Sequence, residues 1–224
     1  KAPYFTAYIL KQLTEMYGEE VTYTSGMKVY TTLNYGLQEK AEKIVNKYID
    51  YGNSPHWIRS MQQKVPSLNY SQAAMLAIDP RFGYIKTMVG GKDFLDNQFN
   101  RTTQAKRQPG SSFKPFLYLA ALEKGFSPGS IIDDKPVTFN TTEGPYSPQN
   151  YSQKYKGKLS MRKALERSIN IVAIKLNYLI GPKNTARVAK SLGIRSPLQP
   201  ILSLPLGANE VTMIELTSAY GAIA

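Results

Sequence analysis

Residues 73–89, AAMLAIDPRFGYIKTMV, constrain the fold more than any other stretch of this chain. Two short apolar runs rich in strand-forming residues flank the turn cluster Asp79-Pro80-Arg81-Phe82-Gly83, which predicts an antiparallel hairpin with strands over 73–78 and 84–89. A hairpin has one face to bury and is marginal alone in water, so other elements must cover it. The rest of the chain offers mostly helical patterns.

The helical patterns are placed as follows. Residues 3–17 set Phe5, Ile9, Leu13 and Met16 at helical spacing, with Gly18 as a stop. MKVYTTL at 27–33 reads as a further strand. Asn34 then caps a helix whose Leu37, Ala41, Ile44, Val45 and Tyr48 make one apolar stripe. Residues 50–70 read as loop and as a boundary, and 90–110 as a long polar excursion of the kind that is usually functional. A helix is expected from about Ser112 to Lys124, another from the Ser160 cap to about Glu166, and IVAIKLNYLI as a third. PKNTARVAKSL and VTMIELTSAYGAIA follow as helices, the last opened by a Thr212–Glu215 capping box.

Composition narrows the chemistry. With no cysteine and a single histidine, His56, zinc and iron–sulfur sites are nearly excluded. A Ser-His-Asp triad would have to use His56, in a stretch, NSPHWIRS, that reads as loop. The charge is +12, and unevenly placed: residues 1–70 hold 8 basic and 6 acidic side chains, residues 71–224 hold 20 and 10. A basic second half suits an anionic polymer, anionic lipid or nucleic acid, though the lysines are scattered and no nucleic-acid motif is present. A plain soluble basic surface accounts for it equally well. No run of 18 apolar residues occurs, so nothing here reads as membrane-spanning. KAPYF already reads as the start of a helix and LTSAYGAIA stops in mid-pattern, so the chain reads as an internal piece of a longer protein.

One stretch is chemically suggestive: RQPGSSFKPF, residues 107–116. Pro115 is tolerated only in the first turn of a helix, which places the start near Ser111 or Ser112 and Lys114 in that first turn. Residues three apart share a face, so Ser111 and Lys114 can address one cleft. A serine hydroxyl needs a base to become a nucleophile, and a desolvated lysine can be that base. Ser112 has Pro115 three positions on and is the weaker choice. With 17 Ser and 20 Lys, chance alone supplies roughly one or two S-x-x-K pairs. One decoy is Ser160–Lys163, where a helix cap and a surface lysine suffice. A second element, Ser168-Ile169-Asn170, gives S-x-N, 57 residues beyond Ser111. Positions i and i+2 do not share a helix face, so either the chain breaks there or the motif is a helix junction without chemistry.

The run FNRTTQAKRQPGSSFKPFLYLAALEKG resembles the active-site segment of class A penicillin-binding proteins, the bifunctional enzymes that build peptidoglycan. KVYTTLNYGLQEKAEKIV resembles their linker and LAIDPRFGYIKTMVGG the first hairpin of their transpeptidase domain. YSPQNYSQKYKGKLSMRKALERSINIVAIKL and SLPLGANEVTMIELTSAYGAIA follow the family pattern in order. The superfamily carries S-x-x-K with S-D-N and K-T-G. The resemblance implies Ser111 as acylated nucleophile, Lys114 as its base, Ser168 as proton relay and Asn170 as a substrate amide binder. Ile169 stands where the motif has Asp, a common departure in class A enzymes. No K-T-G occurs in the chain, so the fold is expected to be incomplete and the piece slow or inactive alone.

By the same resemblance, residues 1–70 would be the linker and 71–224 the N-terminal part of the transpeptidase domain, whose implied fold class is α+β, an antiparallel sheet with helices packed against it. The implied partners are stem peptides ending in D-Ala-D-Ala, and β-lactams, with no nucleic acid and no metal or organic cofactor. The parent would also be a glycosyltransferase, held by an N-terminal anchor on the extracytoplasmic face of the bacterial membrane. A D,D-carboxypeptidase or β-lactamase-like hydrolase would use the same residues, and a basic binding module would use none of them.

Overall fold

The computed structural model describes residues 1–63, 70–142 and 144–224. In chain order it holds α1 (Pro3–Tyr17), α2 (Glu19–Thr24), α3 (Tyr35–Gly52), α4 (Pro55–Gln62), β1 (Met75–Asp79), β2 (Tyr84–Val89), β3 (Lys106–Arg107) and α5 (Lys114–Glu123). There follow β4 (Ile131–Asp134), β5 (Phe139–Thr141), β6 (Gly144–Tyr146), β7 (Gly157–Ser160), α6 (Met161–Glu166), α7 (Asn170–Ile180), α8 (Pro182–Ser191), β8 (Val211–Thr212) and α9 (Met213–Gly221). The architecture is mixed, antiparallel strand pairs with packed helices, as the family resemblance implies. The chain forms two compact units, one of residues 1–105 and 212–224, the other of residues 106–211. Among the described residues no helix is long and apolar enough to cross a membrane.

In the first unit β1 and β2 pair from Met75↔Val89 to Asp79↔Tyr84, with a register shift at Ala77/Ile78. Phe5 of α1, Met88 of β2 and Ile214 of α9 belong to one apolar cluster, and Ala41, Val45 and Ile49 of α3 meet Val89 in another. The α3 stripe differs from the expected one. Its buried face runs through Gln38, Ala41, Val45 and Ile49, while Leu37, Ile44 and Tyr48 are exposed. Gln38 is buried because its amide serves the backbone of Met88: Oε1 accepts from the N–H at 2.9 Å and Nε2 donates to the carbonyl at 3.0 Å. On α1 Phe5 is buried, but Met16 is 63% exposed.

Residues 27–33 form no strand. They run beside β2 without a repeating ladder: Thr32 Oγ1 donates to the Ile85 carbonyl, and the Asn34 N–H donates to the Lys86 carbonyl. Met27, Val29 and Tyr30 are exposed, the last at 93%, and Leu33 packs on the Phe5–Met88 cluster, so most of the apolar content that suggests a strand is not used for burial. Within 50–70, expected as loop, residues 55–62 form α4, begun by Pro55 in its first turn, and His56 lies on that helix. Residues 64–69 of that stretch lie outside the described residues. The polar excursion is tied down in its first part. Tyr4 Oη donates to the Asn97 and Asp93 carbonyls, and buried Asn100 accepts from both the N–H and the hydroxyl of Thr102.

The second unit is built on α5. Phe116, Leu117, Tyr118, Ala120 and Ala121 are all buried, so this helix is apolar round much of its circumference, as a central helix must be. Val172, Ala173 and Leu176 of α7 and Val188 of α8 pack into the same cluster. Strands β4 and β7 pair antiparallel from Ile131↔Ser160 to Asp134↔Gly157. The stretch through PVTF and GPY, expected to be irregular, holds the short β5–β6 hairpin. Tyr118 Oη is buried with no hydrogen-bond partner among the described residues, and burial pushes its pKa up. A buried hydroxyl without a partner costs about 1–3 kcal/mol. Tyr118→Phe is therefore expected to be at least as stable as the parent, by up to about 1 kcal/mol in urea unfolding. A loss of that size would show that the hydroxyl is satisfied.

Candidate active site

Gly110–Phe113 form one turn of 3-10 helix, and α5 begins at Lys114 with Pro115 in its first turn. The proline sets the boundary, as expected, but the tighter turn moves the α-helical start to Lys114. The left-handed Gly110 (φ 59°) lets the chain reverse into this turn. Phe113 and Phe116 are fully buried in edge-to-face contact, 4.8 Å between ring centres, and anchor the junction. Ser111 is left exposed, at the end of α5 where the helix dipole is positive.

Lys114 points inward and is 0% exposed. Its Nζ donates to the Ser168 carbonyl at 2.6 Å, to Ser168 Oγ at 2.9 Å and to Asn170 Oδ1 at 2.8 Å. Among the described residues no carboxylate pairs with it. Burial lowers its pKa from 10.5 to about 8. The structure thus joins Lys114, Ser168 and Asn170 directly. Ser111 is one turn back: its carbonyl accepts the Lys114 N–H, and its hydroxyl is not among the partners of the amine.

The S-x-N pattern does coincide with a break. α6 ends at Glu166, Ser168 takes a left-handed conformation (φ 51°), and α7 starts at Asn170. Asn170 is the first residue of α7 rather than its cap. Ile169 holds the cap position and has no acceptor to offer. The cap comes from Asn150, whose Oδ1 accepts from the N–H groups of Asn170 and Ile171, each at 3.1 Å. Sequence reasoning missed Asn150. Its one signal was a polar, turn-forming YSPQNY stretch, whose partners lie twenty residues away. The decoy resolves as a cap: Ser160 Oγ accepts the Lys163 N–H, and Lys163 pairs with Glu166 at the surface.

The arrangement can move a proton. As an ammonium, Lys114 donates to all three acceptors. As a neutral amine it has two N–H groups and a lone pair, and one partner must reverse. The Ser168 carbonyl cannot donate, and Asn170 holds its oxygen inward while its Nδ2 donates to the Gln149 carbonyl at 3.3 Å. Only the Ser168 hydroxyl can turn and donate into the lone pair.

Residues 73–224 match the penicillin binding protein transpeptidase domain family, and the chain belongs to that family. It is 35% identical over its whole length to penicillin-binding protein 2D of Bacillus subtilis (strain 168), covering 31% of that protein. It is 38% identical over 164 residues to penicillin-binding protein 1A of Rickettsia bellii, covering 72% of this chain and 20% of the relative. The chain thus spans about a fifth to a third of the length of these curated relatives. Among solved structures it resembles penicillin-binding protein 1A of Haemophilus influenzae, with a TM-score of 0.85 at 25% identity over 99% of this chain and 46% of that one. It also resembles the PonA1 protein of Mycobacterium tuberculosis in complex with penicillin V, with a TM-score of 0.80 at 27% identity over 99% of this chain and 58% of that one.

Proposed function

We propose that this chain is part of a peptidoglycan D,D-transpeptidase that works through an acyl-enzyme on Ser111 and is blocked by β-lactams. The observation that carries the reading is the fully buried Lys114 amine, held on Ser168 and Asn170 one turn from an exposed serine. Ser111 Oγ attacks the penultimate D-alanyl carbonyl and its proton passes to Lys114. The carbon–nitrogen bond to the terminal D-alanine breaks, and the proton reaches the leaving nitrogen through Ser168. Asn170 uses its amide to orient the peptide. An amine from a neighbouring strand then takes the acyl group and regenerates Ser111. Residues 1–70 serve as the linker to a glycosyltransferase domain and 71–224 as the N-terminal part of the transpeptidase domain. The full-length gene product acts on the extracytoplasmic face of the membrane. Both the family match and the likeness to a structure holding penicillin V support the reading.

The test is peptide mapping of the full-length gene product after treatment with penicillin. The expected adduct sits on Ser111, is abolished in Ser111→Ala and persists in Ser112→Ala. An adduct on another residue, or none, sinks the assignment. Product analysis with a stem-peptide substrate separates cross-linking from hydrolysis.

A further inference from the structure

We propose that Asp134 and Asn150 are a positioning pair that fixes the start of α7, and with it Ser168 and Asn170, against the Lys114 amine. The inference rests on the acyl-transfer reading. Asn150 is buried, and its two amide ends do different work. Oδ1 accepts from the first two N–H groups of α7, at Asn170 and Ile171, while Nδ2 donates to Asp134 Oδ1 at 2.8 Å and to the Lys154 carbonyl at 3.0 Å. Asp134, at the end of β4, is fully buried, and its Oδ2 accepts from the Lys156 N–H at 2.8 Å.

A carboxylate in this place has a purpose that a neutral residue would not meet. An asparagine amide can flip with little change in shape, and a flipped Asn150 would turn its NH2 toward the α7 N–H groups. Asp134 only accepts, so a flipped Asn150 would also set two oxygens 2.8 Å apart. The carboxylate therefore dictates which end of Asn150 faces α7. Because Asn170 Oδ1 and Ser168 Oγ both hold the Lys114 amine, a shift at the start of α7 displaces them together. A misplacement of about 1 Å at a reacting centre can lower a rate about 100-fold.

The test is a reciprocal exchange in the full-length gene product. Asn150→Asp puts two carboxylates against each other and is expected to slow acylation by penicillin roughly 10- to 100-fold. Asp134→Asn keeps one acceptor and loses less. The double variant Asp134→Asn/Asn150→Asp restores an acceptor toward α7 and a donor toward it from residue 134. It still sets one carboxylate oxygen against the Lys154 carbonyl, a cost that Asn150→Asp shares, and should regain at least tenfold over Asn150→Asp. Amide exchange at Asn170 and Ile171 should quicken in Asn150→Asp and recover in the double variant. Val188→Ala, a core variant, controls for lost stability and should acylate at the parental rate. Parental rates in both single variants, or a double variant no faster than Asn150→Asp, would overturn the pairing. If the parent itself forms no adduct, the acyl-transfer reading fails, whereas unchanged amide exchange in Asn150→Asp defeats the pair alone.

Discussion

Lys114→Met is expected to slow acylation of Ser111 by roughly 10²- to 10⁴-fold, the range lost when a general base is removed. Methionine keeps most of the buried volume, so the loss is chemical. The unmodified protein carries a second signature. With the lysine pKa lowered to about 8 by burial, only about a tenth of the amine is neutral at pH 7. The acylation rate should rise with pH, about tenfold per unit below about 8, and level off above it. A rate that is flat through this range would show that Lys114 is not the base. Stability gives an independent check. Between about pH 8 and 10.5 the unfolded chain holds the lysine proton and the folded chain does not, so stability rises with pH across that window. The gain is about 3 kcal/mol from this one group, fully present above 10.5 and lost as pH falls to 8. Subtracting the Lys114→Met profile from the parental one removes the tyrosines, whose contributions run the other way. A difference curve without that rise would place the amine in solvent.

The second large effect is expected at Gly207, remote in sequence from the serine. Gly207 is left-handed (φ 72°) and lies against the backbone of Gly110, the residue before Ser111. A Cβ at position 207 would meet the Gly110 nitrogen and come within 2.5 Å of its oxygen and 2.6 Å of its Cα. Backbone cannot rotate away as a side chain can. Gly207→Ala should destabilise by about 2–5 kcal/mol, combining left-handed strain with overpacking. It should also slow acylation about 100-fold by pushing the turn that carries Ser111. Gly110→Ala is the contrast. It too is left-handed, at φ 59°, but its Cβ meets open space, so only the strain of about 1–2 kcal/mol applies. Urea unfolding and penicillin acylation of both variants decide the point. Equal effects in the two would dismiss the backbone contact as the cause.

What was readable in the sequence was local. The 75–89 hairpin, the Asn34 cap and the Thr212–Glu215 capping box are each written within a few residues, and each forms as expected. So is the helix-opening turn around Pro115, which brings Lys114 into the first turn of α5. The errors share a cause, which is that hydropathy does not report long-range polar partnership. Gln38 reads as surface and is buried, because its amide is needed fifty residues away at Met88. The 27–33 stretch reads as strand from its residue types, yet pairing needs a neighbour that offers donors and acceptors in step. Asn150 carried no sign of its duty because its partners come from β4 and from the start of α7. The S-x-N pattern leaves two readings open, a break in the chain or a helix junction without chemistry, and the left-handed Ser168 supplies the break.

The glutamine on α3 has a structural corollary. By answering both polar groups of Met88, and with Thr32 and Asn34 serving Ile85 and Lys86, the segment 32–38 stands in for a missing neighbour along the outer margin of β2. That margin is sealed against intruding chains, which blunts a common route to unwanted self-association. Among the described residues this ribbon has two strands, so its growth is thereby made one-sided, alongside Met75–Asp79. Glutamate at position 38, almost the same shape, would strip the Met88 carbonyl of its donor and reopen the barrier.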